Sequence, residues 1–191
     1  MPYADMPAFI AELCTRPGSA ARALEFTILT AARTGEVTGA TWAEIDLEAA
    51  TWTIPAGRMK AAKEHRVPLS DHAIKLLREL PTEADNPFVF LGASAGLGSS
   101  AMAQVLQRMK RRDFTVHGCR STFMDWAHEQ TAFPKAVIDL ALAHVVGDKV
   151  EAAYRRGDLF EKRRRLMDEW ARYCAQPART GAVVPLKSAD A

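Results

Sequence analysis

Six side chains in this chain, gathered in one place, could do chemistry on an anion such as a phosphodiester: Arg33, Lys60, His117, Arg120, His144 and Tyr154. Tyr154 is the unusual member. A phenol with an ordinary pKa near ~10 is ionised in only about one molecule in a thousand at neutral pH. It becomes a useful nucleophile where cations surround it and its target is itself an anion. The other five residues are of that kind. Arginine stays charged and offers a planar bidentate fork to the non-bridging oxygens, where charge builds as a nucleophile arrives. Arg33 stands where an apolar helical pattern meets Gly35, and Glu36, three residues on, is placed to hold it. His117 and Arg120 lie at i, i+3, so one helical face presents an imidazole and a guanidinium. His144 precedes Tyr154 by ten positions, and Tyr154 opens an arginine-rich segment.

Taken singly, each residue has an ordinary explanation. Tyr154 reads as a half-buried aromatic on a helix. Arg33 reads as a helix-terminal arginine paired with Glu36, His117 and Arg120 as a surface pair, and Lys60 as a solvated turn residue. A metal site is a poorer account, because His65, His72, His117, His128 and His144 form no HExxH, no HxH and no Cys/His ligand pair. No metal and no other cofactor is expected.

The elements that must position these groups are set by periodicity and punctuation. Residues 7–15 read as a short helix, Pro17-Gly18-Ser19 as a break with Ser19 capping the next helix, and residues 20–33 as that helix, with Leu24, Ile28, Leu29 and Ala32 on one buried face. Gly35 is expected to interrupt it, with a second short helix leading to Trp42. Ala43–Leu47, Thr51–Ile54 and His65–Leu69 are β-prone and predict a three-stranded antiparallel sheet, with Lys60 and Lys63 on the connection between the last two. Ser70-Asp71 caps a helix through about Leu80. Residues 81–98 are loop-like, apart from a short apolar strand at Phe88–Leu91. Further helices are expected from Ser99 or Ser100 to about Arg112, and from Val116, capped by Thr115, to about Glu129. Three more run from Phe133-Pro134 to His144, from Gly147-Asp148 through Tyr154, and from Asp158 or Leu159 to about Ala175. The last has Leu159, Phe160, Leu166, Met167, Trp170 and Tyr173 for packing, with Lys162, Arg163, Arg164 and Arg165 on its polar side. The fold class is mainly α with a small three-stranded antiparallel β-sheet. One domain is expected over 1–176, with a flexible tail over 177–191.

Composition bounds the setting. The chain has 191 residues, 48% hydrophobic and 25% charged, as for an ordinary globular domain rather than a disordered one. A formal net charge of +2 makes local clusters, not the overall balance, the argument for an anionic partner. Cys14, Cys119 and Cys174 are odd in number and far apart, which fits reduced thiols. No apolar run approaches the ~20 residues that span a membrane, and Met1-Pro-Tyr-Ala-Asp-Met lacks the layout of a signal peptide. A cytoplasmic protein is expected.

In their order and spacing these blocks resemble the tyrosine recombinases, specifically the catalytic domain of prophage-type integrases, from about Pro2 to Cys174. The matching blocks are Leu29-Thr-Ala-Ala-Arg33-Thr-Gly-Glu36, Trp52-Thr-Ile-Pro-Ala-Gly-Arg-Met-Lys60, His65-Arg-Val-Pro-Leu-Ser70, His117-Gly-Cys-Arg120-Ser-Thr-Phe, and Leu142-Ala-His144 with Ala153-Tyr154 beyond it. The resemblance implies the catalytic-domain fold of these DNA breaking-rejoining enzymes. It implies that Arg33 and Arg120 grip the scissile phosphate with His117 and His144, that Lys60 is the general acid, and that Tyr154 is the nucleophile of a 3′-phosphotyrosyl intermediate. Lys63, on the same connection, is the rival to Lys60. Ala143 stands where many relatives have glycine, and Cys119 where an aromatic is more usual.

By the same resemblance the partner is double-stranded DNA bearing an attachment-type site. The chain is expected to be a monomer alone and a tetramer on DNA, with room for an accessory DNA-bending protein. It begins where the catalytic domain of such enzymes begins, which is expected of either a fragment or a shortened relative. Three other readings compete. A type IB topoisomerase shares the chemistry but rejoins the same strand. A non-catalytic DNA-binding remnant need keep none of the six residues, and a helical interaction module explains the apolar periodicities but not the cations.

Overall fold

The computed structural model describes residues 1–93, 95–144 and 157–177. In chain order the helices are α1 (Met6–Cys14), α2 (Ser19–Thr30), α3 (Thr34–Thr38), α4 (Asp71–Arg78), α5 (Ala101–Arg108), α6 (Gly118–Gln130), α7 (Lys135–Ala141) and α8 (Phe160–Cys174). The strands are β1 (Ile45–Asp46), β2 (Thr51–Ile54) and β3 (His65–Pro68). The expected helix through Tyr154, and residues 178–191 of the expected tail, lie outside the described residues. No described helix is long and apolar enough to cross a membrane.

Helix α2 is the axis of the fold. It packs against α1, α3, α4, α5, α6 and α8. Its side chains from Ala21 to Thr30 are almost all buried. Only Arg22 and Glu25, paired with each other, are partly exposed in that span, and from Phe26 to Thr30 the helix is buried on every side. Its two buried threonines are satisfied within the helix, Thr27 donating to the carbonyl of Ala23 (2.8 Å) and Thr30 to that of Phe26 (2.7 Å). Trp170 of α8 donates its indole N–H to the carbonyl of Ile28 at 2.8 Å. Its ring lies in an aromatic cluster with Phe123, Trp126 and Tyr173.

The three strands form one antiparallel sheet in the order β1-β2-β3. Trp52 pairs with Val67 and Ile54 with His65, so these four share the inward face. Trp52 and Ile54 are fully buried. The first strand is shorter than expected. A 3-10 turn occupies Trp42–Glu44, and the Asp46 carboxylate accepts the N–H groups of Glu48 and Ala49, which closes a turn right after the strand.

Several sequence expectations are corrected here. Ser19 does not cap α2: Gly18 takes the cap position at φ 96°, and the buried Ser19 hydroxyl has no hydrogen-bond partner among the described residues. The break before α3 falls at Ala31, left-handed at φ 50°, and Gly35 lies within α3. Helix α5 stops at Arg108, because Lys110 turns left-handed (φ 58°) and the N–H of Arg111 closes on the carbonyl of Leu106. Phe88–Leu91 forms no strand; Phe88 makes a single bridge to Thr41 and Leu91 one to Gly96. The expected cap at Ser70 is present, accepting the N–H of Ala73 (3.4 Å). Thr115 accepts the N–H of Gly118 (3.1 Å), but α6 begins at Gly118 with His117 in the cap position, two residues later than expected.

The polar side of α8 is also narrower than its sequence suggests. Arg163 is only 1% exposed. It donates to the carbonyl of Arg66 at 2.5 Å and to both the carbonyl and the carboxylate of Asp158, each at 2.8 Å. Arg164 donates to the carbonyls of Ala49 and Ala50. Two of the four cations therefore bolt α8 to the sheet instead of facing solvent.

Candidate active site

Arg33 occupies the cap position of α3 in an extended conformation. The Glu36 carboxylate takes both its backbone N–H (2.7 Å) and a guanidinium nitrogen (2.8 Å). This is the reciprocal half of a capping box. The role expected for Glu36 is therefore observed, and Glu36 itself is only 5% exposed. The other end of the Arg33 guanidinium points to the carbonyls of Ala143 (3.3 Å) and Leu142 (3.5 Å).

Arg120, in the first turn of α6, is only 5% exposed. It donates one terminal nitrogen to the carbonyl of Ala31 and the other to the carbonyl of Leu142 at 2.6 Å. Both acceptors are carbonyls at helix C-termini, where unpaired oxygens and the dipole favour a cation. Burial, and secondarily the charge of Arg33, pull its pKa down to about 10, against the opposing pull of Glu36. It therefore remains charged at neutral pH. Two guanidiniums converge on the Leu142 carbonyl with one carboxylate beside them, and that imbalance favours an added anion.

His144 lies just past α7, not within it as expected. Ala143 is left-handed at φ 48°, and the N–H of His144 closes on the carbonyl of Asp139 at 2.9 Å. The His144 ring is 42% exposed, with Nδ1 3.6 Å from Asp139. Burial and then the Arg120 charge lower its pKa, with Asp139 opposing, so the ring is neutral at pH 7. His117 is exposed on the turn leading into α6 and makes no side-chain hydrogen bond among the described residues. Lys60 is exposed on the β2–β3 connection. It lines an open cleft of about 500 Å³ together with Arg33, Gly35, Glu36, Gly57, Arg58 and Met59. Lys63 does not line it. Tyr154 lies outside the described residues.

The Phage integrase family model matches residues 2–158. The chain belongs to that family. Among curated members it is 38% identical over 149 residues to prophage integrase IntA of Escherichia coli K12, covering 75% of this chain and 36% of that protein. It is 36% identical over 177 residues to prophage integrase IntZ of the same strain, covering 90% and 44%. With the integrase of Shigella phage Sf6 it shares 32% identity over 187 residues, covering 94% and 48%. The chain thus spans less than half the length of these relatives. The crystal structure of XerA recombinase superposes with a TM-score of 0.59 at 15% identity, over 83% of this chain and 59% of that one, a likeness of fold. The mainly helical domain with its small antiparallel sheet is therefore the catalytic-domain fold of this family.

Two neighbours of the candidate site were given no role in it by the sequence reading. His65 sits at the rim of the sheet's inward face, its pKa pushed down to about 4 by burial first, then by Arg163, with Arg33 and Arg120 adding and Glu36 opposing. The alternation in His65-Arg66-Val67 is the signal that could have found it. Arg58 is the second. Its guanidinium lies against Glu44 and the carbonyls of Gly35 and Glu36. Nothing in the local pattern announces those distant partners.

Proposed function

We propose that this chain is the strand-transferring domain of a site-specific DNA recombinase of the integrase type. Arg33 and Arg120 clamp the non-bridging oxygens of one phosphodiester, with His117 and the neutral His144 donating hydrogen bonds as charge develops. Tyr154 releases its phenolic proton to solvent as it attacks phosphorus, and Lys60 protonates the departing 5′ oxygen. The product is a 3′-phosphotyrosyl link and a free 5′-hydroxyl. A 5′-hydroxyl from a second strand then attacks that link, releases Tyr154 and reseals the backbone, so the bond energy is kept and no nucleotide is consumed. The observation that carries this reading is the convergence of Arg33 and Arg120 on one carbonyl, beside a cleft that also holds Lys60.

The same reading makes double-stranded DNA the substrate, the cytoplasm the compartment, and a tetramer on DNA the working assembly, with an accessory DNA-bending protein where the site requires it. Residues beyond α8 reach a neighbouring subunit, the apolar Ala182-Val-Val-Pro-Leu186 serving as the plug. The deciding experiment is incubation with nicked suicide duplexes from a randomised pool, with denaturing electrophoresis as the readout. A covalent protein–DNA band is expected from the native chain and none from Tyr154→Phe, which removes only the nucleophilic oxygen. A band that survives in Tyr154→Phe would refute the assigned nucleophile. Relaxation of supercoiled plasmid with no preferred site would instead favour the topoisomerase reading.

A further inference from the structure

The general acid must reach hydrogen-bond distance of the leaving oxygen, and side chains on unpaired loops do not hold such geometry unaided. Lys60 belongs to the β2–β3 connection, where no sheet pairing fixes the chain. Its anchor lies immediately upstream. Arg58 ends a 3-10 turn (Ala56–Arg58), and Met59 is 7% exposed. The Arg58 guanidinium donates one terminal nitrogen to both oxygens of Glu44, the bond to Oε1 being 2.5 Å. The other donates to the carbonyl of Glu36 at 2.5 Å and of Gly35 at 3.4 Å. Glu44 is itself held by the indole N–H of the fully buried Trp52 at 2.9 Å.

Both terminal nitrogens of Arg58 are thus spent on protein acceptors, and the pair is largely sheltered, at 24% and 10% exposure. Glu36, whose backbone takes Arg58, is the residue whose carboxylate takes Arg33. We infer that Arg58 is a positioning residue: it registers the lysine connection against the Arg33 cap, so that Lys60 meets the phosphate that Arg33 holds. Glycine at position 39 makes room for it, since a Cβ there would stand 2.9 Å from Arg58 Nη2. Lys63 has no such anchor. Ala62 just before it is left-handed (φ 49°), and Lys63 makes no side-chain hydrogen bond among the described residues.

This inference rests on the recombinase reading, and its test separates the two. Single-turnover cleavage by the 191-residue chain is measured on a captured duplex, with either the normal phosphodiester or a 5′-bridging phosphorothiolate, whose thiolate leaves without protonation. Lys60→Ala should be slow on the first and restored on the second. Arg58→Ala should lose about 10–100-fold on the phosphodiester and return to within about threefold of native on the phosphorothiolate, with the DNA concentration for half-maximal rate unchanged. Gly39→Ala, which keeps Arg58 but crowds it, should show the same pattern and decides the matter where Arg58→Ala fails to fold. Slow cleavage of both substrates by these variants, with Lys60→Ala rescued, overturns the inference, because the defect then runs through phosphate gripping. No capture by the native chain, or no rescue of Lys60→Ala, overturns the underlying reading and the inference with it.

Discussion

Burying a guanidinium is costly unless acceptors meet its donors, and Arg120 meets two helix-terminal carbonyls, of Ala31 and Leu142. Arg120→Lys keeps the charge but cannot span both, so it should destabilise the fold by about 2–3 kcal/mol, read by urea denaturation, and slow adduct formation by about 100-fold or more. His65 makes a different prediction. Its folded pKa of about 4 lies below the ordinary imidazole value, because protonation there is opposed by burial and by Arg163. A base depressed in the folded state binds its proton more readily when unfolded. Its contribution is therefore complete above about pH 6.5 and is lost as the pH falls towards 4, a loss on the order of 2 kcal/mol given its partial exposure. In His65→Gln the stability measured between pH 7 and 4 should decline less steeply. An unchanged slope would show that His65 does not titrate in this way.

At the scale of elements, function depends on where helices stop. Helix α7 ends by placing Ala143 in the left-handed region at φ 48°, and this turn presents the carbonyls of Leu142 and Ala143 to the two arginines while leaving His144 outside the helix. Alanine adopts that conformation at a cost that glycine avoids. Ala143→Gly should raise the unfolding free energy by about 0.5–1 kcal/mol with the site retained, measured as a shift in denaturant midpoint beside an unchanged adduct yield. The break after α2 works alike: Ala31 at φ 50° ends the helix, frees a carbonyl for Arg120, and lets Arg33 cap α3.

For the molecule as a whole, the described elements surround α2, and α8 closes the sheet side through Arg163 and Arg164. With its apolar face against α2 and with Arg163 and Arg164 on the sheet, α8 belongs to its own domain. The proposed exchange between subunits then falls to residues 177–191. Deleting 177–191 should leave single-site cleavage intact and reduce exchange between two sites by about tenfold or more. Both are assayed in a recombinase that supplies N-terminal DNA-binding domains. Equal exchange by full and shortened chains would deny the tail this role.

Residue order alone determined the helical class, the strand Thr51–Ile54, the strand His65–Pro68 to within one residue, the cap at Ser70, and the Arg33–Glu36 pair. Each of these rests on neighbours within a few positions, where periodicity and capping act. The candidate residues were likewise legible as types in order. What only the tertiary structure decided was their supports: Arg120 on the carbonyls of Ala31 and Leu142, Arg58 between Glu44 and Glu36, and Arg163 buried on Arg66. Those acceptors are main-chain carbonyls or distant carboxylates, and a carbonyl carries no residue identity for a sequence to display. Helix ends at Ala31, Lys110 and Ala143 escaped for a related reason. A left-handed alanine or lysine goes against local preference, and the packing around it, not its own side chain, holds it there.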